Sequence, residues 1–528
     1  MLSQFFDKRS LYVLVGLLGA HLLAVLVQHS WWSIIPVSAG FVVALGLSIK
    51  RLEWGLAFAF LEIFVGGHGH LFDLSSIGLP VSIRMVIFGG VMLGWIIQIL
   101  RPSNGLRMTL RLNPRRDVPW IIFGTAIVLG GIVGFLQNEP GKAFDDFNSY
   151  LLVLYILPIL SIAWDGEKKR LMLMTLAVSA VWVALSTLGL LFAFTHLPGK
   201  FLSHLYTFVR DARLAEITIL TAPSSLAGLF PTGAWYFRVF EQSQIVVLAF
   251  EFIFASATYF SEKIEKNIWL VHAVLLAGIS ASLSRSFMIG AVIGALVFII
   301  LLVATRAKLK TIVLRSFVLG LMQCSAIGLL WLIVVFPLPI RPDFTASPFY
   351  KGDDGGAREL AVSSRWNLLP PMMVEIMKSP IIGAGFGKEV TFVSDDPRVR
   401  AINGTGEWTT YRFEWGYQDL WLKMGVFGLL GVLAIAVSFA NATMYLLQKG
   451  SADRWIPVGM ISMIIFVLVT HIFTPYLNHP LGLSLILLPV IFYSWASGKI
   501  VTVKAVDHEY SPLKPALVYF RKFFKNGL

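Results

Sequence analysis

The chain is poor in cysteine and in charge. Its 528 residues include one cysteine, Cys324, inside an apolar run, which excludes an internal disulfide and disfavours a thiolate metal site. Only 14% of the residues are charged, whereas 56% are hydrophobic and the mean hydropathy is +0.75. One soluble core cannot hide that much apolar surface, and long apolar runs cross a bilayer as helices. We therefore predict an all-α polytopic membrane protein.

The sequence also lacks internal repeats and low-complexity tracts. Many transporters are built from repeated halves, so this absence argues against a transporter. The first apolar run has no small-residue cleavage site and another run follows it at once, which predicts a retained signal anchor.

Apolar runs predict about 14 transmembrane helices, near residues 11–28, 33–49, 53–66, 82–100, 119–137, 151–164, 171–194, 241–261, 268–284, 286–305, 316–337, 417–447, 455–473 and 481–498. Lysines and arginines concentrate in alternate loops, 50–51, 101–116, 168–170, 263–266, 306–315 and 449–454, and in the C-terminal tail. By the positive-inside rule, these loops and both termini are cytoplasmic. Orientation thus explains the net charge of +13, and nucleic acid is not an expected partner.

This reading divides the chain into N-terminal spans at 1–337, a large outer loop at 338–416, C-terminal spans at 417–498 and a basic cytoplasmic tail at 499–528. The other long outer segment is 195–240. Long ordered loops often carry function. Within the large outer loop, the apolar stretch Leu368 to Ile382 predicts an amphipathic helix on the membrane.

Three arginines stand at the outer ends of spans, where the positive-inside bias depletes cations: Arg84, Arg238 and Arg285. Each alone can be an interfacial arginine that snorkels to lipid headgroups. Together at one depth they can clamp a pyrophosphate, because the planar guanidinium matches phosphate oxygens bidentately. The pattern predicts a cationic site facing outward.

The large outer loop adds further candidates. Arg365 is either a solvated cation or a substrate ligand, and the glycine-rich Gly383 to Gly387 is either a tight turn after a helix or a backbone surface for sugar or phosphate. Glu414 precedes a span, as a capping carboxylate or a general base. Tyr417 is a candidate sugar-binding residue. The other acids that can serve as the base are Glu375, Asp395, Asp396 and Glu407.

Asp419 and Lys423 are spaced i,i+4 and are expected to pair with each other. His68 and His70 resemble a metal fragment, but a solvated loop is the preferred interpretation and no metal is predicted. His204, His471 and His479 are outer-side or intramembrane. His471 is expected to be a packed polar residue rather than a proton relay.

These motifs resemble the O-antigen ligase and polymerase superfamily of bacterial membrane glycosyltransferases. The resemblance covers most of the chain. Its motifs follow one another in the order found in the family, and all of them lie on the predicted outer side. Its parts are Gly78 to Arg84, Arg238 to Ser243, Ser284–Arg285, Ser364 to Trp366, Gly383 to Gly387, and Gly425 to Gly428.

The resemblance implies a GT-C-like helical bundle in the bacterial inner membrane, with a large periplasmic loop over a cavity. It also implies transfer of a glycan from an undecaprenyl-diphosphate carrier to a glycan or lipid-linked acceptor, without a metal or other cofactor. Arg238 and Arg285, with Arg84 or Arg365, then bind the leaving diphosphate.

The sequence departs from the family at Glu414. Ligases of the family carry a histidine about eleven residues before the glycine that aligns with Gly425, and this chain has Glu414 there. A carboxylate can also deprotonate an acceptor hydroxyl. The departure favours a polysaccharide polymerase over a ligase that uses a lipid A-core acceptor. A lipid-linked glycan flippase or a structural membrane scaffold are the alternatives of a different class.

Overall fold

The fold is helical. The computed structural model describes residues 1–28, 30–100, 110–197, 199–221, 235–261, 265, 267–305, 309–336, 355–448, 453–493 and 501–503. Within these ranges the chain is 79% helical, and ten helices are long and apolar enough to cross a membrane. Three shorter apolar helices accompany them. The all-α polytopic membrane fold is confirmed, whereas the number of about 14 spans stays a prediction.

The N-terminal helices mostly coincide with the predicted runs, apart from the helices at Leu2–Phe5, Pro140–Phe147 and Gly199–Asp211, which lie outside them. In chain order the N-terminal helices are α1 (Leu2–Phe5), α2 (Lys8–Val27), α3 (Ile34–Lys50), α4 (Leu52–Val65), α5 (Ile83–Leu100), α6 (Pro114–Gln137), α7 (Pro140–Phe147), α8 (Ile156–Ser161), α9 (Gly166–His196) and α10 (Gly199–Asp211). Side-chain caps fix several starts: Asp7 accepts from the backbone of Arg9 and Ser10, and Asp165 accepts from Lys168. A 3-10 helix, Asn148–Tyr155, joins α7 to α8.

The second half contains α11 (Gln244–Phe260), α12 (Ile268–Ser280), α13 (Arg285–Ala304), α14 (Leu309–Val335), α15 (Gly355–Lys378), α16 (Pro397–Asn403), α17 (Gly416–Gln448), α18 (Trp455–Phe473) and α19 (Pro480–Phe492). A 3-10 turn, Tyr476–Asn478, links α18 to α19. Helix α17 is broken at Gly425, whose φ of 63° lies in the left-handed region that favours glycine.

Three antiparallel strand pairs interrupt the helices. They are β1 (Leu110–Leu112) with β6 (Val501–Val503), β2 (Ala215–Thr221) with β3 (Trp235–Glu241), and β4 (Val390–Val393) with β5 (Glu407–Thr410). The second and third pairs lie in the two segments predicted to be long outer loops.

Burial separates a central group of helices from a peripheral one. All residues of α19 and all but the last residue of α11 are buried. By contrast, α2 and α14 expose large apolar side chains such as Leu26 and Phe317. Exposed apolar rows on spanning helices are the surface expected to contact lipid.

Loop contacts sort the loops onto two faces of the bundle. On one face, the Met1 amine pairs with Glu265 at 2.7 Å, Arg170 lies 3.6 Å from Asp7, and β1 pairs with β6. These segments belong to the basic loops and termini that the sequence assigns to one side. On the opposite face, Lys142 pairs with Glu389 at 2.9 Å and Arg412 lies 3.9 Å from Asp145. The side of the membrane on which each face lies stays a prediction.

Helix α15 differs in its limits from the amphipathic helix predicted between Leu368 and Ile382. It begins at Gly355 and ends at Lys378, and the following residues form a turn. One of its faces is buried against α17 and β4 through Leu368, Met372 and Ile376, which are spaced four residues apart. The other face exposes apolar side chains including Val374 and Met377.

Candidate active site

The turn between α12 and α13 carries Arg285 and accepts a hydrogen bond from Arg238. Arg238 lies on β3 and donates from Nε to the Ser282 carbonyl at 2.7 Å. Arg285, three residues later, opens α13 and is exposed. Leu283 between them has a φ of 45°, a left-handed conformation that is uncommon outside glycine. This strained turn therefore places the backbone of Arg285 three residues from the carbonyl that Arg238 contacts.

The N-terminus of α13 adds positive potential to the same place. Ser284, at the N-cap position, makes no side-chain cap hydrogen bond. The first amide groups of α13 therefore keep capacity to bind an anion. A cation at the first position of a helix opposes the macrodipole. Among the described residues Arg285 has no ion-pair or hydrogen-bond partner that would offset this cost, so the arrangement favours an external anion.

An aromatic floor lies beneath the cations. The Arg238 guanidinium carbon is 4.9 Å from the centroid of the Phe240 ring. Phe240 contacts Phe287 at 5.9 Å between centroids, and Phe287 contacts Tyr476 at 5.9 Å. Apolar rings exclude water on this side, and charges act more strongly on a ligand where water is excluded.

Arg365 and Glu414 form an ion pair. Their side chains are 45% and 50% exposed, so both are accessible to a ligand. The indole of Trp415 donates to the Arg365 carbonyl at 2.7 Å and holds α15 against the start of α17. Glu414 thus precedes α17 by two residues and pairs with an arginine.

Glu216 is a carboxylate at this site that the sequence analysis missed. In the β2–β3 register Glu216 lies opposite Phe240 and Thr218 lies opposite Arg238, so these four residues share one face of the ribbon. Glu216 is exposed and makes no hydrogen bond or ion pair with another described residue.

Glu216 affects the pKa of residues on two neighbouring elements. Burial lowers the pKa of Arg365 from its ordinary value while Glu216 acts to raise it. Burial, and then Glu216, raise the pKa of Tyr476.

Polar Glu216 and Thr218 alternate with apolar Ile217 and Ile219, which is a strand signal. No short turn motif follows this segment in the sequence, so the sequence does not predict that β2 pairs with β3.

Arg84 lies in another loop cluster. Its Nε and Nη2 donate to the two carboxylate oxygens of Glu62 at 3.0 and 3.1 Å, and Nη2 also donates to the Gly67 carbonyl at 2.9 Å. Both side chains are about a tenth exposed, at 11% and 10%. Hydrogen bonds within the protein thus use much of the donor capacity of the Arg84 guanidinium. Its role as a substrate ligand stays a prediction.

Tyr417 is also engaged by the fold. Its hydroxyl donates to the Leu468 carbonyl at 3.0 Å, and its ring packs against His471 at 4.8 Å. His471 is buried and accepts from the Leu477 amide, as expected of a packed polar residue. Substrate binding by Tyr417 stays a prediction.

The Asp419–Lys423 pair is confirmed and is part of a larger buried cluster. Lys423 Nζ lies 2.7 Å from Asp419 and 2.8 Å from Asp146 of α7, with Lys423 only 1% exposed. Asn478 donates to Asp419, and the Gly387 amide donates to Asp146 at 3.0 Å. This buried ionic cluster (Asp146, Asp419, Lys423) joins α7, α17 and the Gly383–Gly387 loop.

The Gly383–Gly387 segment is a structural loop. Its amides are bonded within the protein: Ala384 donates to Leu422 at 2.7 Å and Phe386 donates to Gly130 at 3.1 Å. Gly385 has a φ of 81°, and a Cβ there would lie 2.3 Å from the Gly134 nitrogen. These contacts favour the tight-turn interpretation over a phosphate-binding backbone surface.

The histidine loop is less solvated than predicted. His70 contacts Asp73 at 3.1 Å, and His68 packs against His479 with ring centroids 5.1 Å apart. Within the described ranges no three His, Cys, Asp or Glu side chains gather as a metal site would require.

Residues 270–433 match the family described as O-antigen ligase. The matched segment runs from α12 into α17 and contains Arg285, Arg365, Glu414 and Tyr417, whereas Arg84 and Arg238 precede it. No curated protein matches the chain. The matched segment is about a third of the chain, and over these residues the match supports the resemblance drawn from the sequence: the chain is a polytopic membrane protein that is similar there to the O-antigen ligase family.

Proposed function

We propose that the protein is a bacterial inner-membrane glycosyltransferase that polymerises undecaprenyl-diphosphate-linked oligosaccharides for cell-surface polysaccharide. The observation that carries this proposal is that Arg238 bonds the turn from which α13 begins, with Arg285 at the uncapped N-terminus of that helix. Guanidinium groups and free helix amides are the groups that bind a diphosphate. The family match supports a lipid-linked glycan as the substrate.

The proposed reaction is an inverting displacement at the anomeric carbon. The acceptor hydroxyl oxygen forms a bond to this carbon while the bond to the diphosphate oxygen breaks. The diphosphate leaves with the bonding electron pair, and a carboxylate takes the hydroxyl proton. Arg238 and Arg285 stabilise the charge that develops on the leaving group. Because guanidinium groups supply that positive charge, we expect turnover to persist in the presence of a chelator.

Glu414 is the proposed general base, and its ion pair with Arg365 suggests how it is released. When Arg365 binds the diphosphate, its guanidinium exchanges the carboxylate of Glu414 for phosphate oxygens, and Glu414 becomes free to accept a proton. Glu216 is the second candidate, because it is exposed and already unpaired near Arg365.

Two matched variants separate these bases. Glu414→Gln and Glu216→Gln each keep size and remove basicity, and loss of a general base lowers the rate by roughly 10² to 10⁴. We expect this loss in Glu414→Gln, with substrate binding and thermal stability retained. Normal turnover of Glu414→Gln together with an inactive Glu216→Gln would move the assignment to Glu216.

The choice of polymerase over ligase rests on Glu414, which stands where related ligases have histidine. Purified protein incubated with undecaprenyl-diphosphate oligosaccharide, and no other acceptor, should yield a ladder of products on a gel. Products that appear only after a lipid A-core acceptor is added would identify a ligase instead. Glycan that stays on its original carrier under both conditions would reject glycosyl transfer.

We place the site on the periplasmic side, because it lies on the face opposite the basic loops. In a chain with Cys324→Ala, a cysteine at Ser379 should react with an impermeant thiol reagent on intact cells. Cysteine at Glu167, an exposed residue on the other face, should react only after lysis. The reverse pattern would invert the topology.

A further inference from the structure

A second group of cationic and hydrogen-bonding side chains lies across the 3-10 turn from Tyr476. The rings of His68 and His479 meet edge to face at 5.1 Å. The backbone of Arg213 packs on the same loop, since a Cβ on Gly67 would lie 3.1 Å from the Arg213 carbonyl oxygen. We call His68, His479 and Arg213 the His–Arg cluster.

The donors of this cluster are unused by the fold. His479 Nδ1 accepts from the Leu481 amide, so in the neutral ring Nε2 carries the proton. Within the described chain His479 Nε2, both nitrogens of His68 and the guanidinium of Arg213 have no hydrogen-bond partner. Arg213 is exposed and is held at a φ of 49°.

Several cations surround His68. Burial and then Arg84, Arg213, His70 and Arg412 lower the pKa of His68 to about 3.

Three acids near this loop are already paired, and the unpaired Glu216, three residues after Arg213, makes no ion pair with it. Glu62 bonds Arg84, Asp73 bonds His70, and Asp145 lies 3.9 Å from Arg412. No described carboxylate pairs with Arg213. The guanidinium of Arg213 is thus available to bind an anionic ligand.

We propose that the His–Arg cluster binds the phosphate group of a second lipid-linked sugar, the acceptor chain of the polymerase. This assignment rests on the proposed function, because only a polymerase brings two lipid diphosphates to one active site. His479 follows Tyr476 by three residues, and the Tyr476 ring contacts Phe287, two residues from Arg285. One short turn therefore lies between the two phosphate sites.

Binding of inorganic pyrophosphate to the purified protein, followed by calorimetry, tests the two sites without catalysis. The variants are Arg213→Asn, since asparagine tolerates the left-handed backbone, and His68→Phe, with thermal unfolding to verify the fold. Arg210→Asn is the matched control, because Arg210 is exposed on the same segment and pairs with Asp211 at 2.7 Å.

We expect two binding events in the wild type and in Arg210→Asn. In Arg213→Asn and His68→Phe one event should weaken about tenfold or more, as expected from loss of a charge-assisted hydrogen bond. Arg285→Gln should lose only the other event. If Arg285→Gln removes all binding and Arg213→Asn none, the second site is overturned and the diphosphate clamp stands. If only Arg213→Asn loses binding, the clamp fails and the second site stands.

Competition identifies the source of the phosphate. Farnesyl diphosphate should displace pyrophosphate from the Arg213-dependent site, whereas phosphatidylglycerol vesicles should not. Displacement by phosphatidylglycerol alone would make the occupant a membrane headgroup and overturn the assignment to a second substrate.

Discussion

The site at Arg238, Arg285 and Glu216, which the proposed topology makes the outer site, and the buried ionic cluster use the same kinds of side chain in opposite ways. In the cluster, Lys423 contacts two carboxylates, and all three side chains are less than a tenth exposed. At the outer site, Arg285 and Glu216 are exposed and make no ion pair with another described residue. The buried charges hold elements of the fold together. The exposed charges retain capacity for a ligand.

The largest energetic effect is expected from breaking the buried ionic cluster. Lys423→Met leaves Asp146 and Asp419 without their counter-ion, and loss of one partner of a buried pair costs about 3 to 5 kcal/mol of stability. Thermal unfolding in detergent should show a large drop in Tm. The triple variant that also carries Asp146→Asn and Asp419→Asn should recover part of it. Wild-type stability of Lys423→Met would show that the cluster does not hold α7 and α17 together.

At the outer site, we expect substitutions to lower the turnover rate and to leave the stability unchanged. Arg285→Lys keeps the charge and loses the bidentate fork, and removal of one such donor typically lowers turnover by about 10² to 10³. Arg238→Lys should lower turnover by a similar factor. Release of undecaprenyl diphosphate reports turnover, and Tm should stay at the wild-type value. Arg170→Lys on the opposite face is the control. Near wild-type turnover of both site variants would reject the diphosphate clamp.

A smaller effect on stability is expected from the glycine loop that rests on the cluster. Gly385→Ala forces a side chain into a left-handed backbone, which costs about 1 to 3 kcal/mol, and its Cβ meets the Gly134 backbone. We expect a lower Tm with Arg285-dependent pyrophosphate binding retained. Loss of that binding at unchanged Tm would instead assign the loop to the ligand site.

The smallest effect should come from an exposed ion pair on α15. Lys378 pairs with Glu375 at 2.5 Å and is 63% exposed. Exposed pairs of this kind contribute about 0 to 1 kcal/mol, so Lys378→Ala should change neither Tm nor turnover appreciably. A loss comparable to that of Arg285→Lys would mean that charge anywhere on the outer face matters, and the contrast between the two regions would fail.

The sequence was sufficient for features that depend on local pattern. Apolar runs located the helices, and the i,i+4 spacing of Asp419 and Lys423 predicted their pairing. Asp146 joins them from more than 270 residues away in sequence, and no local rule connects these positions. The role of Glu216 depends on a hairpin register that the sequence did not reveal. Tertiary packing likewise decided that Arg84 pairs with Glu62.

The break at Gly425 makes two distant stretches of chain one cooperative unit. Where the helix is interrupted, Ala384 donates to the Leu422 carbonyl and Val426 donates to the Pro380 carbonyl at 3.0 Å. The amides of one stretch are thus protected by acceptors on the other. Neither stretch can open alone without losing these bonds, so residues 380–387 and 416–426 should exchange their amide hydrogens with a common rate.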